Sequence, residues 1–80
     1  MRIELKFEKF ASVKEFNRLA TLLEGDVFLK SGRYVVDAKS LLGVLSLSLD
    51  KPVDLEIISK NEQEVNDFIS QLRELGIYRD

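Results

Sequence analysis

Polar and apolar residues alternate over residues 2–7, Arg-Ile-Glu-Leu-Lys-Phe, which predicts a half-buried strand with Ile3, Leu5 and Phe7 facing inward. The period then changes. Val13, Phe16, Leu19, Ala20 and Leu23 recur at three- and four-residue spacing, the stripe of an amphipathic helix. Ser12 and Glu15 have the spacing of a capping box, so the helix is expected to open at Ser12, and Gly25 is placed to end it in the left-handed conformation. Val27-Phe28-Leu29-Lys30 and Arg33-Tyr34-Val35-Val36 flank Ser31-Gly32, which reads as a β-hairpin. A short helix is expected after Ser40, and Lys51-Pro52 interrupts the chain beyond it. Residues 53–58 alternate again, with Val53, Leu55 and Ile57 inward. Asn61 and Glu64 form a second capping box, and Val65, Phe68, Ile69, Leu72 and Leu75 make the stripe of a last helix that Gly76 ends.

The order is β-α-β-β-α-β-α. One-sided alternation in every strand calls for an α+β domain, an antiparallel sheet with its helices on a single face. The expected core is Ile3, Leu5, Phe16, Leu19, Leu23, Val27, Leu29, Val36, Val44, Leu47, Leu55, Ile57, Phe68, Ile69 and Leu72. Patterning does not order the strands, and a ferredoxin-like split β-α-β arrangement fits it as well. Eighty residues, with no linker, repeat or low-complexity segment, are expected to form one domain, residues 1–80.

Composition narrows the chemistry. The sequence has no histidine and no cysteine, which removes imidazole acid–base work, thiolate catalysis, disulfides and the usual zinc sites. The 14 carboxylates show no general-acid/base pair or metal-ligand spacing, so neither a metal nor a cofactor is expected. Net charge is −2 with the signs interspersed, and no basic stripe marks a nucleic-acid or anionic membrane surface. Phe28, Val35 and Ile58 are expected on the outer face of the sheet, without an RNA-binding motif beside them; a dimer contact suits that face better. No apolar run is long enough to span a bilayer and no signal-peptide pattern appears, which fits a cytoplasmic protein.

The densest apolar stretch is residues 37–49, Asp-Ala-Lys-Ser-Leu-Leu-Gly-Val-Leu-Ser-Leu-Ser-Leu. On a helical wheel at about 100° per residue, Leu41, Leu42, Val44, Leu45, Leu47 and Leu49 cover roughly 220°, twice what one packed face requires. The excess must be covered either by the helix's own neighbours or by a partner protein. The run Lys39-Ser40-Leu41-Leu42-Gly43-Val44-Leu45-Ser46-Leu47 closely resembles the regulatory-serine segment of HPr, the small phosphocarrier of the bacterial sugar phosphotransferase system. The family pattern reads roughly K-S-[IL]-[ML]-G-[VL]-[ML]-S-L-G, and Ser48 stands where it has glycine.

The resemblance implies an HPr-like open-faced β-sandwich, four antiparallel strands in the order 1-4-2-3 with three helices on one face. It also implies site residues. The family carries its phosphate on a histidine at the start of the first helix, and Ser12 is the expected counterpart, with Lys14 in place of the family's arginine. Ser12 has a plain reading as a helix cap and a second as a phosphate acceptor, which needs a neighbouring base; no histidine can serve, and the nearby Glu15 is more simply its capping partner. Ser40 likewise caps a helix and, by the resemblance, is the regulatory phosphorylation position, with Lys39, Lys14 and Arg18 as candidate contacts for the phosphate. Leu41, Leu42 and Leu45 are either core or, as the resemblance implies, a protein-docking surface, with Lys39, Lys14 and Arg18 also expected among the partner-binding residues.

Three functions follow from these readings. The first is a non-catalytic HPr-like regulatory module, related to the relatives that lack the histidine and act through transcriptional regulators of carbon use. Its partner would be such a regulator or a phosphotransferase-system component, with an HPr kinase acting on Ser40. The second is a participant in phosphoryl transfer through a non-histidine acceptor such as Ser12. The third is a dimeric structural relic of the family. The module reading leaves the oligomeric state open between monomer and homodimer.

Overall fold

A computed structural model describes residues 3–79 of the protein. The expected strand start at Arg2 lies outside the described residues. The elements run β1 (Ile3–Leu5), α1 (Phe10–Thr21), β2 (Asp26–Ser31), β3 (Tyr34–Asp37), α2 (Leu41–Leu45), β4 (Val53–Ile58), α3 (Glu62–Glu74) and β5 (Tyr78–Arg79). All strand pairs are antiparallel, and the sheet order is β3-β2-β4-β1-β5. The sheet therefore has five strands rather than the expected four, and the order 1-4-2-3 becomes 5-1-4-2-3. The addition is local in origin. Gly76 turns the chain at φ +77° after α3, Lys6 N–H donates to the Ile77 carbonyl at 2.8 Å, and Tyr78 falls opposite Leu5.

Register places the inward side chains in rows. Ile3 faces Leu55, Leu5 faces Val53, Val27 faces Ile57, and Leu29 lies between Leu55 and Val36. The helices cover that face. Phe16 of α1 is completely buried, with its ring edge-on to Phe7 at 5.4 Å and 6.0 Å from Phe68 of α3. The other face is open to solvent, where Lys30 pairs with Glu56 at 3.2 Å and Val35 and Ile58 are exposed. Phe28 on that face is only half-buried.

Most of the expected core is buried, but Val36, Ile57 and Ile69 are only partly so. Val36 lies on β3 at the sheet edge, and Ile57 one residue from the end of β4, where cover thins. Phe7, Val13, Ala20, Ala38, Val53 and Ile77 complete the buried set.

Two helix starts behave differently. At α3, Asn61 Oδ1 accepts from Glu64 N–H at 3.1 Å, as the capping box predicts, but Glu64 does not reach back to Asn61. Its carboxylate accepts from the Glu24 backbone N–H at 2.8 Å and from the Ser59 hydroxyl at 2.9 Å instead. At α1 the expected capping box is absent. The helix begins at Phe10 with Lys9 at the N-cap position and no side-chain cap, so Ser12 lies inside the first turn. Phe10 and Ala11 are compatible with helix, and nothing stops it from extending back past Ser12. Glu15 holds Arg18 instead, through two bonds of 2.8 and 2.7 Å.

Gly25 is also not the left-handed terminator expected of it. Helix α1 ends at Thr21, and among the described residues only Gly32 and Gly76 have positive φ. Glycine is required at position 25 by proximity, since a Cβ there would run into the Ile58 carbonyl oxygen.

The bonds to Glu24 N–H and Ser59 hold the Glu64 carboxyl below its ordinary value of 4.5. A group with a lowered folded-state pKa adds stability above its unfolded pKa and loses it as pH falls through the folded value. Glu64→Gln should therefore melt lower than the parent near neutrality, with the gap closing below pH 4.5. Thermal unfolding followed by circular dichroism across that range tests this, and a gap independent of pH would contradict it.

Candidate functional site

The segment from Asp37 to Leu49 is anchored at several points before it reaches solvent. Ala38 N–H donates to the Val27 carbonyl at 2.8 Å, and Asn17 of α1 donates to the Ala38 carbonyl at 2.9 Å. Asp37 Oδ1 accepts from Lys39 N–H at 2.9 Å, an Asx turn that points the chain into α2. Ser40 then caps the helix, its Oγ accepting from Gly43 N–H at 3.2 Å while its carbonyl accepts from Val44 N–H at 3.0 Å. The Ser40 side chain is exposed.

Helix α2 is shorter than the wheel assumed. It ends at Leu45, and Ser46 closes it with its hydroxyl on the Gly43 carbonyl at 2.6 Å. Serines at 46 and 48 compete with helix for backbone partners, which disfavours a further turn. Leu47 and Leu49 therefore turn inward from a loop, one buried and the other partly so, and the over-wide arc is in part an artefact of extending the helix over them. What remains on the helix still divides sharply. Val44 is fully buried and Leu41 is half-covered, whereas Leu42 is 82% exposed and Leu45 40%.

The cations expected around Ser40 are engaged elsewhere. Lys39 Nζ donates to the Leu23 carbonyl at 2.6 Å, closing the loop after α1. Arg18 is held by Glu15, which raises the guanidinium pKa and lowers that of the carboxyl. Lys14 Nζ lies 5.9 Å from the Phe10 ring centroid. The structure thus brings Ser40 and the leucines together without assembling the three cations into a preformed phosphate cradle. Ser12, half-buried in the first turn of α1, is not the residue at the helix start; Lys9 is, and it is exposed.

One apolar side chain escaped the sequence reading. Phe10, 59% exposed, lines an open groove with Leu45 and Leu49 between the start of α1 and the end of α2. Its spacing of three from Val13 is core-like, so the pattern alone would have buried it. The earlier start of α1 places it at the first helical position, at the rim of the packed layer. Phe10, Leu42 and Leu45 are thus exposed apolar groups on the first two helices, with the ammoniums of Lys9 and Lys14 on α1 and its cap.

Several solved structures are similar to this chain. HPr-C-His from Thermoanaerobacter tengcongensis aligns with a TM-score of 0.75 and 18% identity over 94% of this chain and 91% of its own. The phosphocarrier protein HPr from Bacillus anthracis str. Ames aligns at 0.70 and 18% over 88% and 90%. Crh, the Bacillus subtilis catabolite repression containing protein, solved as a swapped, intertwined dimer, aligns at 0.63 and 26% over 94% and 88%. No family model matches the chain, and no curated protein does.

Proposed function

We propose that this chain, HPr-like in fold, is a regulatory protein-docking module and not a phosphate relay. The observation that carries the reading is Leu42, more than four-fifths exposed on a helix capped by an exposed Ser40. An apolar side chain held out on a well-anchored helix is a contact awaiting a partner surface, and Leu45 and Phe10 extend it. The partner in this reading is a protein: a transcriptional regulator of carbon use or a phosphotransferase-system component, met in the cytoplasm.

The relay reading has little chemistry to stand on. The sequence holds no imidazole, and Glu15, the carboxylate one turn on from Ser12, is held by Arg18 through both oxygens. Ser40 suits modification instead. A phosphate there would take over the bond to Gly43 N–H, now charge-assisted, and bring about −1.5 to −2 charges to the edge of the leucine patch. The domain keeps its shape and the surface changes its preferred partner. Lys39 joins the phosphate only by leaving the Leu23 carbonyl, so the contact is switchable.

Two incubations test the proposal: phosphoenolpyruvate with enzyme I, and ATP with a bacterial HPr kinase. Mass spectrometry should find phosphate only in the second, on Ser40, and none in Ser40→Ala. Stoichiometric transfer from enzyme I to any residue would overturn the module reading, and kinase labelling elsewhere would overturn the role of Ser40. Because Crh crystallised as a swapped dimer, light scattering on the same samples distinguishes monomer from homodimer.

A further inference from the structure

Away from the leucine patch, the β2–β3 turn and the segment after α2 enclose a cleft of about 640 Å³ lined by Ser31, Arg33, Tyr34, Ser46, Ser48 and Lys51. No carboxylate lines it. Among the described residues neither Arg33 nor Lys51 makes an ion pair, and the hydroxyls of Ser31 and Ser48 have no protein partner. Ser46 has committed its proton to the Gly43 carbonyl, so the donors available to a ligand are the two cations, the two free serines and the Tyr34 phenol. The ring of Tyr34 is 73% exposed at the mouth of this cleft. Ser48 is the position at which the sequence departs from the HPr pattern, serine for glycine, and the departure supplies one of those donors.

We propose that this cleft is a binding site for a small phosphorylated organic anion, a phosphomonoester. The charge balance selects the class. Two unpaired cations match the −1.5 to −2 of a phosphomonoester at neutral pH, and an uncharged ligand would leave both without a counter-charge. The hydroxyls of Ser31 and Ser48 supply further donors to the phosphate oxygens, and the Tyr34 face meets the organic group. The site shares no residue with the Phe10, Leu42 and Leu45 patch, so it stands or falls independently of the docking reading.

The test is an NMR titration of the isotope-labelled full chain with phenyl phosphate, inorganic phosphate and sulfate. Saturable shifts are expected at the amides of residues 31–34 and 46–51, tighter for phenyl phosphate than for inorganic phosphate. Arg33→Gln and Lys51→Gln should each weaken binding about tenfold, and Ser48→Gly should weaken it with the melting temperature unchanged. Tyr34→Ala should remove the preference for the phenyl ester. All four side chains are exposed, so the variants fold. Shifts spread over every lysine, equal response to sulfate, or an Arg33→Gln/Lys51→Gln double variant that binds like the parent would overturn the site.

Discussion

Replacing Phe16 by alanine is expected to unfold much of the protein at room temperature, or to lower its melting temperature by about 15–30 °C. Phe16 has no exposed surface, and its ring is the shared contact between Phe7 on the chain leaving β1 and Phe68 on α3. Removing it separates three segments that meet nowhere else through aromatic contact among the described residues. Truncating a buried phenylalanine costs about 3–5 kcal/mol, and a domain this small holds a net stability of similar size. Phe10→Ala is the internal control. It removes the same side chain from the same helix, but from a position 59% exposed, and should change stability by no more than about 0.5 kcal/mol. Denaturant titration of the two variants measures the contrast. Equal losses would mean that the three-ring contact does not hold the layers together.

That contrast also shows where sequence periodicity stops being informative. Phe10, Val13 and Phe16 share one helical spacing, yet only the last two are buried. Periodicity assigns a face of a helix; it does not say how far along the helix the packed layer extends. The capping box at Ser12 misled for a related reason. A serine three residues before a glutamate stabilises a helix start only if the chain is not already helical, and here Phe10 and Ala11 extend the helix back to Lys9. The equivalent signal at Asn61 held for the cap itself but not for the reciprocal bond, since Ser59 and Lys60 precede it outside any helix and Ser59 Oγ, not Glu64, takes the Asn61 N–H. Strand β5 has two residues, too few for any alternation to register, and it exists because β1 offers a free edge where the chain emerges from Gly76. The long-range order of the sheet was not legible from patterning at all. It came from the resemblance around Ser40, and the structure extended it by one edge strand.

For the site, the cap at Ser40 was legible locally, whereas the cap at Ser12 and the placing of the three cations were not. Serine before an apolar run announced the cap at Ser40, and the bond to Gly43 is there. The convergence of Lys39, Lys14 and Arg18 depended on which nearer partner each found first. A backbone carbonyl, an aromatic ring and a carboxylate three residues away took them one by one. Long cationic side chains reach several acceptors, so proximity in the fold does not fix their partner, whereas a short serine at a helix start has essentially one.

Leu42→Asp should separate docking from folding more widely than any other single change. The side chain is 82% exposed, so the substitution removes almost no buried area, and α2 is capped by Ser40 and anchored by the fully buried Val44. Stability should stay within about 1 kcal/mol of the parent. Binding should respond very differently. An apolar anchor at the centre of an interface is worth about 2 kcal/mol or more, and a carboxylate buried against the partner adds a desolvation cost, so affinity should fall by at least about thirtyfold. Titration against a bacterial transcriptional regulator of carbon use that binds HPr-like proteins gives the affinity, and denaturant unfolding of the same preparations gives the stability. Val44→Asp is the counterpart, a change two residues along on the opposite side of the same helix, which should unfold the domain because Val44 has no exposure to lose. If Leu42→Asp were as destabilising as Val44→Asp, the leucine would be core and the docking surface would have to lie elsewhere. If it left both stability and affinity intact, the patch would be an ordinary exposed side chain and the partner would bind another face.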